Sequence, residues 1–174
     1  MSDSTNTLGA PWPAVLQTGR LLLRPVQEDD LPVLVELWQD PRVRRHLGGP
    51  VSPAKAEARK ARYVGAPGAF AVVLATGGPA IGLVTVEADG RGPGTIELSY
   101  QLLPAHWNQG VGTEAVAAVL DWTEAAGQTR SVVAVTQHAN TPSRRLLESL
   151  GLTMVDTVTE YGELQAVYTR TKDA

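Results

Sequence analysis

The 174-residue chain contains no cysteine. Disulfides, a thiolate zinc site and a cysteine nucleophile are therefore excluded. Histidine is scarce: His46, His106 and His138 lie in separate segments without ligand spacing, so no metal is expected. No stretch reaches the roughly 18 apolar residues that a membrane span requires. The opening MSDSTNTLGAPWPAVLQTG lacks the basic end and apolar block of a signal peptide. Positive charge is not in excess either. The formal net charge is -3, which argues against nucleic acid as the main partner. Repeats, low-complexity tracts and an interdomain linker are also missing. The expectation is a cytoplasmic protein with no membrane and no nucleic-acid partner, a monomer or a homodimer. Residues 1–16 read as a flexible lead-in and 17–174 as a single domain.

What is present is an ordinary core former, with 43% hydrophobic residues. RLLLRPV at 20–26 reads as a strand. EDDLPVLVELWQD at 28–40 reads as a helix, with an acidic first turn that suits the helix dipole and Pro41 as its stop. SPAKAEARKARYV at 52–64 is a second helix, with Ser52 as N-cap and Pro53 at the first position. Strands follow at 69–76, 80–88 and 95–103, with turn signals between them. HWNQGVGTEA then opens a helix running to about residue 126. SVVAVTQ at 131–137 is a buried-type strand, and NTPSRRLLESLGL at 140–152 is a helix ending at Gly151. Two strands close the chain around a turn at Tyr161 and Gly162. Alternating elements of this kind make an α/β or α+β domain with a mixed sheet.

Three stretches can carry chemistry. In HWNQGVGTEA a strand passes into a helix through Gly110 and Gly112. The N–H groups of a first helical turn have few intrahelical partners and sit at the positive end of the dipole. Absent side chains at 110 and 112 would let a phosphate approach them. The same glycines also serve a tight strand-to-helix turn, and the stretch matches neither a Walker loop nor a complete GxGxxG. The second stretch is the strand at 95–103, where Thr95, Glu97, Ser99 and Gln101 alternate with Ile96, Leu98, Tyr100 and Leu102. Its polar face is either plain solvated surface or the lining of a cleft, with Glu97 as a reactive carboxylate. The third is QHANTPSRR. Here Asn140 and Ser143 are spaced as a helix cap, and they also follow the end of a valine-rich strand, where α/β proteins bind ligands. RVRRH at 42–46 is a basic cluster, either a solvated face or a grip on a substrate.

Taken in order, TGRLLLRPVQEDDLPVLVELWQDPRV, IELSYQLLPAHWNQGVGTEAV and TQHANTPSRRLLESLGL resemble the GNAT acetyltransferase superfamily, from about residue 17 to 170. Within it, the chain is most similar to the branch of ribosomal-protein N-terminal acetyltransferases. The resemblance implies a GNAT fold: a mixed, mostly antiparallel sheet of about seven strands, splayed in the middle and flanked by about four helices. It implies acetyl-CoA as donor and an amine as acceptor, either a peptide N-terminus or a small molecule. Trp107, Asn108, Gln109, Gly110, Val111, Gly112 and Thr113 would form the pyrophosphate loop. Gln101, Leu102 and Leu103 would lie along the pantetheine arm. Asn140 would hold the cofactor arm, and Ser143 would sit near the sulfur. Glu97 matches the glutamate of an E-x-G-Y pattern, which reads ELSY in this chain, with Ser99 in the glycine position. Trp107 departs from the usual R/Q at the start of the loop.

Acetyl transfer needs a neutral amine. A lysine amine is only ~0.1% neutral at pH 7.4, a handicap of about 4 kcal/mol, whereas an α-amine is roughly a quarter to a third neutral. One modest base suffices for an α-amine, and Glu97 is the candidate. Ser143 is the candidate partner of the leaving thiolate, with Tyr100 and Tyr161 behind it. A protein that binds CoA without turning it over is the non-enzymatic alternative.

Overall fold

The computed structural model describes residues 8–171. Eight strands form one sheet in the order β1-β2-β3-β4-β5-β6-β8-β7. The strands are β1 (Leu16–Gln17), β2 (Leu21–Pro25), β3 (Ala69–Leu74), β4 (Ala80–Ala88), β5 (Thr95–Leu102), β6 (Ser131–Gln137), β7 (Thr153–Glu160) and β8 (Glu163–Thr171). The helices are α1 (Leu31–Gln39), α2 (Pro53–Tyr63), α3 (Val111–Ala125) and α4 (Thr141–Ser149). Every neighbouring pair is antiparallel except β5 and β6, which run parallel because α3 returns the chain between them.

The helix starts follow the local chemistry. The Ser52 hydroxyl accepts the Lys55 N–H, with Pro53 behind it. Asn140 caps α4 in the same way, through Ser143 N–H to Asn140 Oδ1 at 3.3 Å. The last turn is a two-residue hairpin in which Tyr161 and Gly162 both take positive φ, at 54° and 77°. Asp30 does more than complement a dipole. It is buried, binds Arg24 at 2.7 and 2.9 Å, and accepts the Gln27 N–H at 2.8 Å.

Two cores lie on opposite sheet faces. On one face α3 and α4 pack Val116, Val119, Leu120 and Leu147 over Leu23, Phe70, Val84, Leu98, Val132 and Tyr168. On the other, α1 and α2 set Leu34, Leu37, Trp38 and Ala56 against Ala69, Ala71, Val73 and Leu83. This second layer covers β2 to β4 and stops short of the polar face of β5.

Two expectations change. The sheet has eight strands where about seven were read. The addition is β1, which falls in a segment read as lead-in. Leu8 and Ala10 are buried, and Trp12 meets Phe70 edge-on at 5.0 Å and Trp122 at 6.1 Å. The packed unit therefore starts by Leu8. Proline and small residues hid this contribution, because a single tryptophan carries it and no periodic pattern does. Residues 1–7 of the expected lead-in lie outside the described residues.

Candidate functional site

The centre of the sheet opens. β5 and β6 pair at only three positions, Thr95 with Ser131, Ile96 with Val132 and Glu97 with Val133. Beyond them β5 stays with β4 as far as Leu102, and β6 stays with β8 as far as Gln137. A gap therefore separates two strands whose outer ladders are intact, and its edges carry backbone groups without ladder partners. The register decides which groups these are. Leu103 N–H donates to Ile81 O at 2.9 Å around the Gly82–Leu102 pair. Antiparallel alternation then turns the amides of Gln101 and Leu103 toward β4, and those of Tyr100 and Leu102 toward the gap. Trp107 Nε1 already donates to Leu102 O at 2.9 Å, which ties the following loop to this edge.

That loop ends at the start of α3. Gly110 is the N-cap, with φ 74°, a conformation open to glycine at little cost. Gly112, the second residue of α3, faces the packing: a Cβ there would meet Leu146 Cδ1 at 3.1 Å and Leu102 Cδ1 at 3.3 Å. Its small size thus serves the α3–α4–β5 contact.

A clamp that the sequence did not disclose holds this corner. The Glu114 carboxylate accepts from Thr18 Oγ1 at 2.5 Å, Arg20 N–H at 2.9 Å and Arg20 Nε at 2.6 Å. Arg20 Nη1 then reaches Gln109 O at 2.8 Å. The hydroxyl of Thr18, followed by Arg20, lowers the Glu114 pKa. These partners stand 94 and 96 residues from Glu114, so no local pattern links them. Glu114→Gln is expected to cost about 1–2 kcal/mol and to loosen the loop. A lowered carboxyl pKa supplies stability above the unfolded value that is lost as pH falls through the folded value. Urea melts should therefore show a deficit at pH 7 that shrinks toward acid.

The proposed reactive groups lie on both faces of the gap. Tyr100 OH is 2.7 Å from Ser143 Oγ, where either hydroxyl can donate, and 3.3 Å from Ser143 O. Burial drives the Tyr100 phenol up to about 12, although the Ser143 bond pulls it down. The phenol is therefore neutral and able to donate. Glu97 stands at the last paired position of β5, with its side chain on the opposite face beside Ser99 and Gln101. Desolvation, then the like charge of Asp89, raises its pKa against the pull of Arg91. The structure thus brings Ser143 together with Tyr100, and it sets Glu97 across the sheet from them. Tyr100, read as a minor candidate, is the direct partner of Ser143. Its alternation with Glu97 was visible, but its contact with a residue 43 positions away was not.

The histidines do not converge. His46 Nδ1 lies 3.1 Å from Gln137 Oε1, while His138 uses backbone groups toward Leu164 and Arg144. Among the described residues, no group of three or more His, Asp or Glu suits a metal ion, and no helix is long and apolar enough to cross a membrane.

A gap with free backbone edges, a helix entrance without side chains at 110 and 112, and a phenol–hydroxyl pair all fit an extended thioester carrying a diphosphate. The model of the acetyltransferase (GNAT) domain matches residues 20–153. An uncharacterized N-acetyltransferase p20 of Bacillus licheniformis is 27% identical over 164 residues, covering 88% of this chain and 92% of the relative. A GNAT-family acetyltransferase from Bacillus anthracis superposes with TM-score 0.81 at 21% identity, covering 91% and 98% of the two chains. Ribosomal-protein-S5-alanine acetyltransferase from Vibrio fischeri superposes with TM-score 0.74 at 20% identity, covering 92% and 97%. The chain belongs to the GNAT acetyltransferase family, enzymes that move an acetyl group from acetyl-CoA to an amine.

Proposed function

We propose that the acceptor is the α-amine of a peptide or protein N-terminus. The observation that carries this reading is the single raised carboxyl, Glu97, at the mouth of the strand gap. One carboxylate base matches an amine that is already partly neutral, whereas a lysine side chain starts about 4 kcal/mol from its neutral form. The likeness to an S5-alanine acetyltransferase supports it.

Acetyl-CoA supplies an activated acyl group, so position and dryness matter most. The first-turn N–H groups of Val111, Gly112 and Thr113 receive the diphosphate, with Gln109, Gly110 and Asn108 shaping the approach and Trp107 bracing it. The Leu102 N–H and the Tyr100 amide are available to the pantetheine arm. The side chains of Gln101 and Leu103 flank it, since their amides belong to β4. Asn140 spends Oδ1 on its cap and keeps its NH2 for the arm. Glu97, directly or through a water, takes the proton of the attacking amine. A gap-facing N–H of β5 steadies the carbonyl oxygen as it gains charge. The Ser143 hydroxyl, oriented by Tyr100, donates to the departing sulfur.

Thiol release from acetyl-CoA, measured with N-terminal peptides, lysine side-chain peptides and small amines, tests this. Release with α-amine peptides is the expected result. Release confined to small amines would move the acceptor class. Ser143→Ala is expected to lower kcat about tenfold with little change in acetyl-CoA binding, because one hydrogen bond to a charged group is lost. Tyr100→Phe should do the same, and the double variant should be no worse than either single one. Additive losses would separate the two hydroxyls.

A further inference from the structure

Helix α4 is short and thinly anchored by apolar contact. It spans nine residues, and Leu147 is the side chain it buries fully. Its first turn nevertheless carries Ser143, whose Oγ stands 2.7 Å from the Tyr100 hydroxyl. A reacting group must be held to within about 0.5 Å of its working position. Burying a leucine does not orient a helix so closely, because the hydrophobic effect has no direction. Hydrogen bonds do.

Strand β8 supplies them, from two residues that share the face turned to α4. Tyr168 is fully buried, and its ring belongs to the core beneath α3 and α4. Its hydroxyl donates to Glu148 Oε1 at 2.7 Å and accepts from Arg144 Nε at 3.0 Å. Arg144 Nη1 donates to His138 O at 3.2 Å, which ties down the loop leading into the helix. At the other end, Arg170 Nη1 donates to Leu150 O at 2.7 Å, and Nη2 pairs with Glu124 of α3. Tyr168 therefore holds the first turn of α4 and Arg170 its end.

The place of the first anchor gives it a function. β8 lies on the far side of β6 from the gap. Beyond Glu97 and Val133 no ladder pair joins β5 to β6. Over that stretch α4 is bonded to β5 through Tyr100 and to β8 through Arg144 and Tyr168. Ser143 and Arg144 are consecutive, one bonded to each bank, so a shift of the guanidinium passes straight to the serine.

We infer that Tyr168 and Arg144 are positioning residues for acetyl transfer: they seat the first turn of α4 over the strand gap and so aim the Ser143 hydroxyl at the departing sulfur. The Tyr168 hydroxyl gives its proton to Glu148 and takes one from Arg144, so its role is orientation. The inference rests on the proposed role of Ser143, which it deepens.

Thiol release from acetyl-CoA is measured with a peptide beginning with Ala or, should α-amine peptides fail as acceptors, with the small amine that takes their place. Tyr168→Phe keeps the ring and removes the hydroxyl. Its kcat should fall about fivefold with the KM for acetyl-CoA little changed, since Ser143 is displaced and not removed. Arg144→Lys keeps the charge without the planar fork and should lose as much. In a Ser143→Ala background neither change should cost further turnover, because no hydroxyl is left to aim. Melting temperatures are taken for every variant, and rates are compared well below the lowest of them. Wild-type kcat in folded Tyr168→Phe and Arg144→Lys overturns the inference. So does a loss that multiplies with that of Ser143→Ala, which would make the network structural, or a loss carried by KM. Wild-type turnover in Ser143→Ala alone removes the serine from the reaction, and the positioning role falls with it.

Discussion

Glu97→Gln is expected to lower kcat about a hundredfold at pH 7, within the range assigned to a positioned base, and to leave acetyl-CoA affinity unchanged. The carboxyl lies on the face of β5 opposite Tyr100 and away from the start of α3, so the donor is not expected to sense the change. Glutamine keeps the shape and loses only the proton acceptor. The deficit should narrow as pH rises past the amine's own pKa of about 7.7–8.0, where solvent has already removed the proton. In wild-type protein the acid limb of kcat/KM should lie above the ordinary carboxylate range, because desolvation and Asp89 raise the Glu97 pKa. Stability moves the other way. A raised carboxyl pKa means that the fold prefers the neutral form. Glu97→Gln should therefore melt slightly higher than wild type at pH 7, and the gain should vanish below the unfolded value near 4.3. Gain in stability with loss of turnover is the signature of a group kept for chemistry. Wild-type turnover in the variant at pH 7 would remove Glu97 from the reaction.

Gly112→Asp should weaken CoA binding by about a hundredfold, close to 2.7 kcal/mol. An acidic side chain in a first helical turn ordinarily stabilises a helix, by about 0.3–1 kcal/mol. At this entrance it competes for the same N–H groups that a diphosphate needs, and it repels that ligand. Part of any loss is steric, since Leu146 and Leu102 stand 3.1 and 3.3 Å from the position of a Cβ. Gly112→Ala separates the two contributions. It presses the same leucines without the charge, and its CoA affinity should fall by less than about tenfold. Titration of CoA by calorimetry, with thermal melts of both variants, checks this. A folded Gly112→Asp protein with wild-type affinity would place the diphosphate elsewhere.

Local pattern was enough for most of the architecture. The strands at 80–88 and 131–137 are seen at those same limits, because unbroken apolar runs ended by turn residues mark a buried strand. Ser52 and Asn140 announced two helix starts by their capping oxygens. The polar alternation of β5 marked a strand with one uncovered face, and that strand borders the gap. Contacts between distant segments were not legible. The Thr18–Arg20–Glu114 clamp and the Tyr100–Ser143 bond each join residues whose neighbours in sequence say nothing of one another.

The chain by itself determined its elements, their order and the residue types at the start of α3 and along β5, because propensity, capping and periodicity act within a few residues. Tertiary structure decided which backbone groups of β5 face the gap, and that Ser143 lies beside Tyr100 while Glu97 stands across the sheet. Those outcomes depend on register and on which faces come into contact, and neither is set until the whole sheet closes.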